Sequence, residues 1–163
     1  MTSATPRPDL ALDDLYRDIL LDHYRSPRNR GRLDGRSTNS ADGANPLCGD
    51  ELTVELTVED GKIAAIAIDG RGCSISQASA SMMSVFVRER ATDEALEAVA
   101  TFQRMMLEGE TPPEEFGDIE ALAGVAKFPV RVKCASLGWK TLEQALTGDG
   151  GSVSTDERTT GNE

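Results

Sequence analysis

The spacing of apolar residues changes three times along this chain. From Leu12 it is helical: Leu12, Leu15, Tyr16, Ile19 and Leu20 form one stripe, and His23 continues it. Ser26-Pro27 ends the stripe, because a residue before proline is pushed out of the α region. Residues 28–47 are rich in Arg, Asn, Gly and Ser and show no clear period, although a short strand fits there. From Glu51 the period becomes two. Leu52, Val54, Leu56 and Val58 alternate with Thr53, Glu55, Thr57 and Glu59, which predicts a strand with one buried face. Asp60-Gly61 is a two-residue turn signal, and Ile63, Ile66 and Ile68 form the return strand of an antiparallel hairpin.

Helical spacing then resumes. After Gly70-Arg71-Gly72 a helix is predicted from Ser74 to about Arg90, burying Ile75, Ala78, Met82, Val85 and Phe86. A second runs from Asp93 to Glu108, with Thr92 as N-cap and Gly109 as the stop. Thr111-Pro112-Pro113 breaks the chain. A short helix follows at Ile119 to Leu122, and a last helix begins near Ala135, carrying Leu137, Leu142, Ala145 and Leu146. This order predicts an α+β fold, a small antiparallel sheet with helices packed on it. Residues 1–10 read as a flexible lead-in, 11–147 as one domain, and 148–163 as a polar, disordered tail.

Composition narrows the functional classes. The 163 residues include 17 Lys and Arg against 28 Asp and Glu, a net charge of -11. Phosphate backbones need clustered cations, so no nucleic-acid partner is expected. No apolar run approaches the ~20 residues of a membrane span, so no membrane partner is expected either. The opening MTSATPRPDLALDDLY lacks the apolar stretch of a signal peptide, which places the protein in the cytoplasm.

There are three cysteines, an odd number that argues against a disulfide framework. Each falls at a junction. Cys48 lies in the turn Asn45-Pro46-Leu47-Cys48-Gly49-Asp50, while Cys73 and Cys134 are each expected to precede a helix. Free N–H groups at a helix start favour a thiolate, which is both nucleophile and metal ligand. A closed zinc site takes four ligands, and Asp50, two residues from Cys48, is preferred as the fourth. The rival is His23, the single histidine, which its apolar stripe marks as a core residue. Arg131 and Lys133 are placed to offset the excess negative charge of such a site. The plainer alternative, three buried thiols acting as small hydrophobes, stays open on the spacing alone.

With these motifs in view, the chain resembles the IscU-like (NifU N-terminal-like) family of iron–sulfur assembly proteins. Within that family it is most similar to the zinc-binding sulfur-transfer type, SufU. The resemblance rests on LYRDILLDHYRSPRNRG (15–31), NPLCGDELT (45–53), GRGCSISQASASMMS (70–84) and the stretch from Gly117 to Leu146. It implies that Cys48, Asp50, Cys73 and Cys134 bind zinc, that Cys48 is the sulfur acceptor, and that Arg131 acts on the partner. That partner is implied to be a cysteine desulfurase, a SufS-like pyridoxal phosphate enzyme, with a downstream assembly scaffold as recipient. The implied activity is sulfurtransferase, Cys48 taking a persulfide sulfur. Scaffold-type relatives carry a histidine directly before the third cysteine, where this chain has Lys133, and have a shorter stretch between the second and third cysteines. Two other readings remain: an iron–sulfur cluster scaffold using the same cysteines, and a structural zinc module.

Overall fold

The computed structural model describes residues 8–46, 48–148 and 152–154, with side chains for residues 16–46 and 48–148. The elements in order are α1 (Pro8–Arg25), β1 (Asn39–Asn45), β2 (Asp50–Glu59), β3 (Lys62–Arg71), α2 (Ser74–Val87), α3 (Thr92–Glu108), a 3-10 segment (Glu114–Lys127), α4 (Pro129–Thr147) and β4 (Ser152–Ser154). The architecture is α+β, as the periodicity predicts. The sheet order is β3-β2-β1-β4, with β1–β2 and β2–β3 antiparallel and β4 parallel to β1.

The β2–β3 hairpin follows the alternation of its sequence. Leu52, Val54 and Leu56 point into the core together with Ile63, Ile66 and Ile68, and Asp60 and Gly61 both take positive φ at the turn. A one-residue slip would expose that whole apolar set, so the register is strongly specified. β1 lies within the stretch that shows no clear period. Its alternation is carried by small residues: Ala41, Gly43 and Asn45 are buried. Gly43 is required there, because a Cβ would overlap Thr141 Oγ1 on α4 and come within 3.0 Å of Leu137 Cδ1. The strand is therefore selected by close approach of a helix rather than by hydrophobicity.

α2 and α4 form the centre of the helical layer, with α1 packed on α2 and α3 on α4. Trp139 on α4 is fully buried, stacks on Phe102 at 4.5 Å between centroids, and donates from Nε1 to Ser79 Oγ at 3.1 Å. Ser79 Oγ in turn donates to the Ala135 carbonyl at 2.6 Å, locking α2 against α4. Contacts on two sides explain why α2 buries small residues, including Ser76, Ser79, Ser81 and Ser84. Of the residues predicted to be buried on this helix, Ala78 and Met82 are buried, Ile75 and Phe86 are partly covered, and Val85 faces solvent at 52% exposure.

Several boundaries differ from the sequence expectation: α2 ends at Val87 rather than near Arg90, and in place of a short helix at Ile119 to Leu122 a 3-10 segment covers Glu114–Lys127. α3 is capped at Ala91, not Thr92, because the Glu94 carboxylate accepts the Ala91 N–H at 3.1 Å. Gly109 ends that helix in the left-handed conformation, as expected (φ 69°). α4 begins at Pro129 rather than near Ala135, since proline suits the first helical position, where its missing N–H is no loss. Within the tail read as disordered, Ser152–Ser154 lie beside β1 as a short strand. Among the described residues no helix is long and apolar enough to cross a membrane.

Candidate metal centre

The site forms where the β1–β2 connection meets the starts of two helices. Asn45, the last residue of β1, pairs in register with Asp50, the first of β2. The loop between them carries Cys48, whose N–H donates to the Asn45 carbonyl at 3.1 Å. Gly49 takes φ +72°, which reverses the chain so that Cys48 and Asp50 face one point.

Asp50 is buried, with 1% exposure. Its Oδ1 accepts the backbone N–H of Cys73 at 2.8 Å, and its Oδ2 lies 3.9 Å from Cys73 Sγ. Cys73 is the N-cap of α2, so the carboxylate also sits at the positive end of that helix. Gly72 makes this approach possible: a Cβ there would overlap the Asp50 carboxylate. Cys73 thus occupies the helix start that its sequence context suggests.

Cys134 does not. With α4 beginning at Pro129, Cys134 stands in the second helical turn, fully buried, and its Sγ points back toward the Val130 carbonyl at 3.8 Å. No free helix N–H supports it as a thiolate. Burial pushes its thiol well above the ordinary range, and neighbouring Cys48, Cys73 and Asp50 push it further the same way. Without a cation this thiol holds its proton. A divalent ion inverts that preference, since a coordinating thiol is deprotonated outright.

Two of the three thiols converge directly. Cys48 Sγ and Cys134 Sγ are 3.4 Å apart, and both cysteines are free. A disulfide needs about 2.05 Å. Two thiolates at about 2.3 Å from one tetrahedral zinc ion lie about 3.8 Å apart, close to the observed separation. Donor atoms of Cys48, Asp50 and Cys134 all lie within 4.8 Å of one another. Cys73 falls outside that spacing but touches the trio on two sides, through Asp50 and through its interaction with the Cys134 thiol. Soft sulfur donors with one carboxylate suit zinc better than magnesium or calcium.

His23 is elsewhere engaged. It is buried at 4% exposure, with Nδ1 at 2.8 Å from Ser81 Oγ and Nε2 at 3.2 Å from Asp118 Oδ2. Both ring nitrogens are occupied, which is the core role its apolar stripe suggests. Arg131 is exposed on α4, one turn before Cys134 and on the same helix face. Lys133 is half-buried.

One residue of the site escaped the sequence reading. Asn45 is fully buried and donates from Nδ2 to Cys134 Sγ at 3.6 Å, while its Oδ1 has no hydrogen-bond partner among the described residues. The usable signal was the every-second small residue Ala41, Gly43, Asn45, which places a carboxamide on the buried face of β1.

The model of the NifU-like N-terminal domain matches residues 15–135. The chain belongs to this family. Relatives of this NifU-like chain include the zinc-dependent sulfurtransferase SufU of Bacillus subtilis, 41% identical over 86% of this chain and 95% of the relative. The iron–sulfur cluster assembly scaffold protein IscU of Streptococcus pyogenes is 40% identical over 83% of this chain and 84% of its own. Among solved structures, a candidate iron–sulfur cluster assembly scaffold protein for the SUF system from Fervidobacterium islandicum superimposes with a TM-score of 0.74 at 34% identity, covering 80% of this chain and 95% of that one. The matched residues contain Cys48, Cys73 and Cys134.

Proposed function

We propose that this chain is a zinc-dependent sulfur-transfer protein of iron–sulfur cluster assembly, with Cys48 as the acceptor. The observation that carries the reading is the convergence of Cys48, Asp50 and Cys134 at one point, with Cys73 in contact with Asp50. Cys48, Asp50, Cys73 and Cys134 would hold the ion. Zinc supplies a redox-inert charge that keeps thiols in the thiolate form at neutral pH.

The rest follows from the chain's own residues. The donor is a persulfide on a cysteine desulfurase, a SufS-like pyridoxal phosphate enzyme. The Cys48 thiolate attacks the terminal sulfur of that persulfide. A new S–S bond forms at Cys48 Sγ, the donor's S–S bond breaks, and its electron pair leaves on the donor thiolate. The product is a Cys48 persulfide, and no external oxidant or reductant enters. Cys48 suits this role because it is half-buried in a loop between Pro46 and Gly49 and can move at little backbone cost. Cys73 caps α2 and Cys134 is packed within α4, so moving either would disturb a helix. Arg131, exposed one turn from Cys134, offers a cation to the incoming persulfide or to the partner's docking surface. The sulfur passes on to a downstream assembly scaffold, and the reduced thiols suit the cytoplasm.

The test is stimulation of a cysteine desulfurase. Zinc-loaded parent protein accelerates sulfide or persulfide release, and a folded, zinc-containing Cys48→Ala variant does not. Equal stimulation by that variant would overturn the transfer function. A second reading, a cluster scaffold, is supported by the similarity to IscU proteins. It requires iron and visible absorbance in protein purified without oxygen, where the sulfur-transfer reading requires about one zinc per chain and no colour.

A further inference from the structure

We propose that Asn45 is a positioning residue that decides which thiol of the site stays fixed and which one accepts sulfur. This rests on the sulfur-transfer reading above and deepens it. Three observations meet at Asn45. Its backbone carbonyl accepts the Cys48 N–H, so it closes the turn that carries the acceptor. It pairs in register with Asp50, so it sets where the carboxylate enters. Its side-chain amide donates to Cys134 Sγ, at full burial on both sides.

Among the described residues the carboxamide has no other hydrogen-bond partner. Nδ2 reaches Cys134, and Oδ1 is buried without a donor. A buried polar atom without a partner, such as Oδ1 here, is uncommon in folded proteins and calls for an explanation. A thiolate accepts hydrogen bonds and cannot donate them, so only the observed orientation, N–H toward sulfur, serves a deprotonated Cys134. A hydrogen bond to an anionic acceptor is stronger than a neutral one. It withdraws electron density from the Cys134 sulfur and lowers its nucleophilicity. Among the described residues no side-chain amide donates to Cys48, whose side-chain neighbour is the Cys134 sulfur at 3.4 Å. Asn45 therefore makes the two neighbouring thiolates unequal: Cys134 is quenched and held, and Cys48 is left reactive.

The first test uses the unaltered protein loaded with cadmium-113. A scalar coupling between the Asn45 side-chain N–H and the cadmium nucleus, transmitted through Cys134 Sγ, is expected in NMR spectra. An assigned Asn45 amide with no such coupling overturns the proposal. The second test compares parent and Asn45→Leu, which keeps the branching and removes the donor. Persulfides formed with a cysteine desulfurase and cysteine are alkylated and mapped. The ratio of label on Cys48 to label on Cys134 should fall by about tenfold in the variant. The thiolate-to-cobalt charge-transfer band of cobalt-loaded variant should also move to longer wavelength. An unchanged ratio with an unchanged band overturns the role of Asn45 while leaving Cys48 as acceptor. Label absent from Cys48 in the parent overturns the underlying reading, whatever the variant does. If Asn45→Leu does not fold, the cadmium coupling decides alone.

Discussion

Gly72 offers a sharp test of how the site is built, because it touches the carboxylate without being a donor itself. A Cβ at this position would overlap Asp50 Oδ1 and lie 2.8 Å from both Asp50 Cγ and Ser76 Oγ. Ser76 Oγ can rotate, but Asp50 is buried and its Oδ1 is engaged by the Cys73 N–H at 2.8 Å. The strain of Gly72→Ala should therefore fall mainly on the carboxylate. Overpacking of this kind costs about 1–3 kcal/mol. In a domain of this size that is a drop of about 2–12 °C in Tm. Asp50→Ala alone loses a charge-assisted hydrogen bond of about 1.5–3 kcal/mol, partly offset by removing a buried carboxylate. In the double variant the overlap with the carboxylate is gone, while the Ser76 contact and the cost of φ +158° for alanine remain, so the two losses should add only in part. The double variant should be more stable than the sum of the singles by about 1 kcal/mol or more. The assay is urea unfolding of the four metal-free proteins. Losses that add to within about 0.5 kcal/mol would refute the claim that Gly72 exists to admit Asp50.

Other expectations follow from the same geometry. Asp50→Ala should release zinc to a chelator faster than the parent while Cys48 remains alkylatable; equal retention would show that the carboxylate is not a ligand. Arg131→Ala should keep its zinc and lose desulfurase stimulation, since the side chain is exposed and outside the donor cluster; loss of zinc by metal analysis would contradict this placement. Ser79→Ala should cost about 1–3 kcal/mol in thermal unfolding, because it leaves the buried Trp139 Nε1–H without its acceptor and removes the hydroxyl that ties α2 to the Ala135 carbonyl; a change under about 0.5 kcal/mol would count against that link. Removing zinc should lower Tm, since β2, α2 and α4 each contribute a proposed ligand.

The parts of this molecule legible in its sequence are those whose signal is local. The β2–β3 hairpin is written in the Leu52 to Val58 alternation and the Asp60-Gly61 turn, and the end of α3 in Gly109. The burial of His23 follows from its helical stripe. The less legible parts depend on distant partners. β1 has almost no apolar residue to announce it, because its buried positions are shaped by Thr141 and Leu137 across the fold. Val85 lies on the predicted apolar stripe yet faces solvent, because α2 is packed on two sides by helices whose positions no local pattern reveals. α4 starts at Pro129, six residues before the Ala135 start expected from its apolar residues Leu137, Leu142, Ala145 and Leu146. That difference matters for chemistry: the later start puts Cys134 at a helix end, where the backbone would stabilise a thiolate, when its actual partner is the side chain of Asn45. Residue types and contexts group Cys48, Asp50, Cys73 and Cys134 as one site, of which the structure gathers Cys48, Asp50 and Cys134 at one point; that Cys73 meets Asp50 through its backbone N–H, admitted by Gly72, is visible only in three dimensions.

The central claim is that Cys48 accepts sulfur. It is tested most directly by incubating the zinc-loaded protein with a cysteine desulfurase and cysteine, trapping persulfides by alkylation, and mapping the added sulfur by mass spectrometry. The account predicts a mass increase of one sulfur on the peptide containing Cys48, dependent on both desulfurase and cysteine. Sulfur found on Cys73 or Cys134, with none on Cys48, would contradict it.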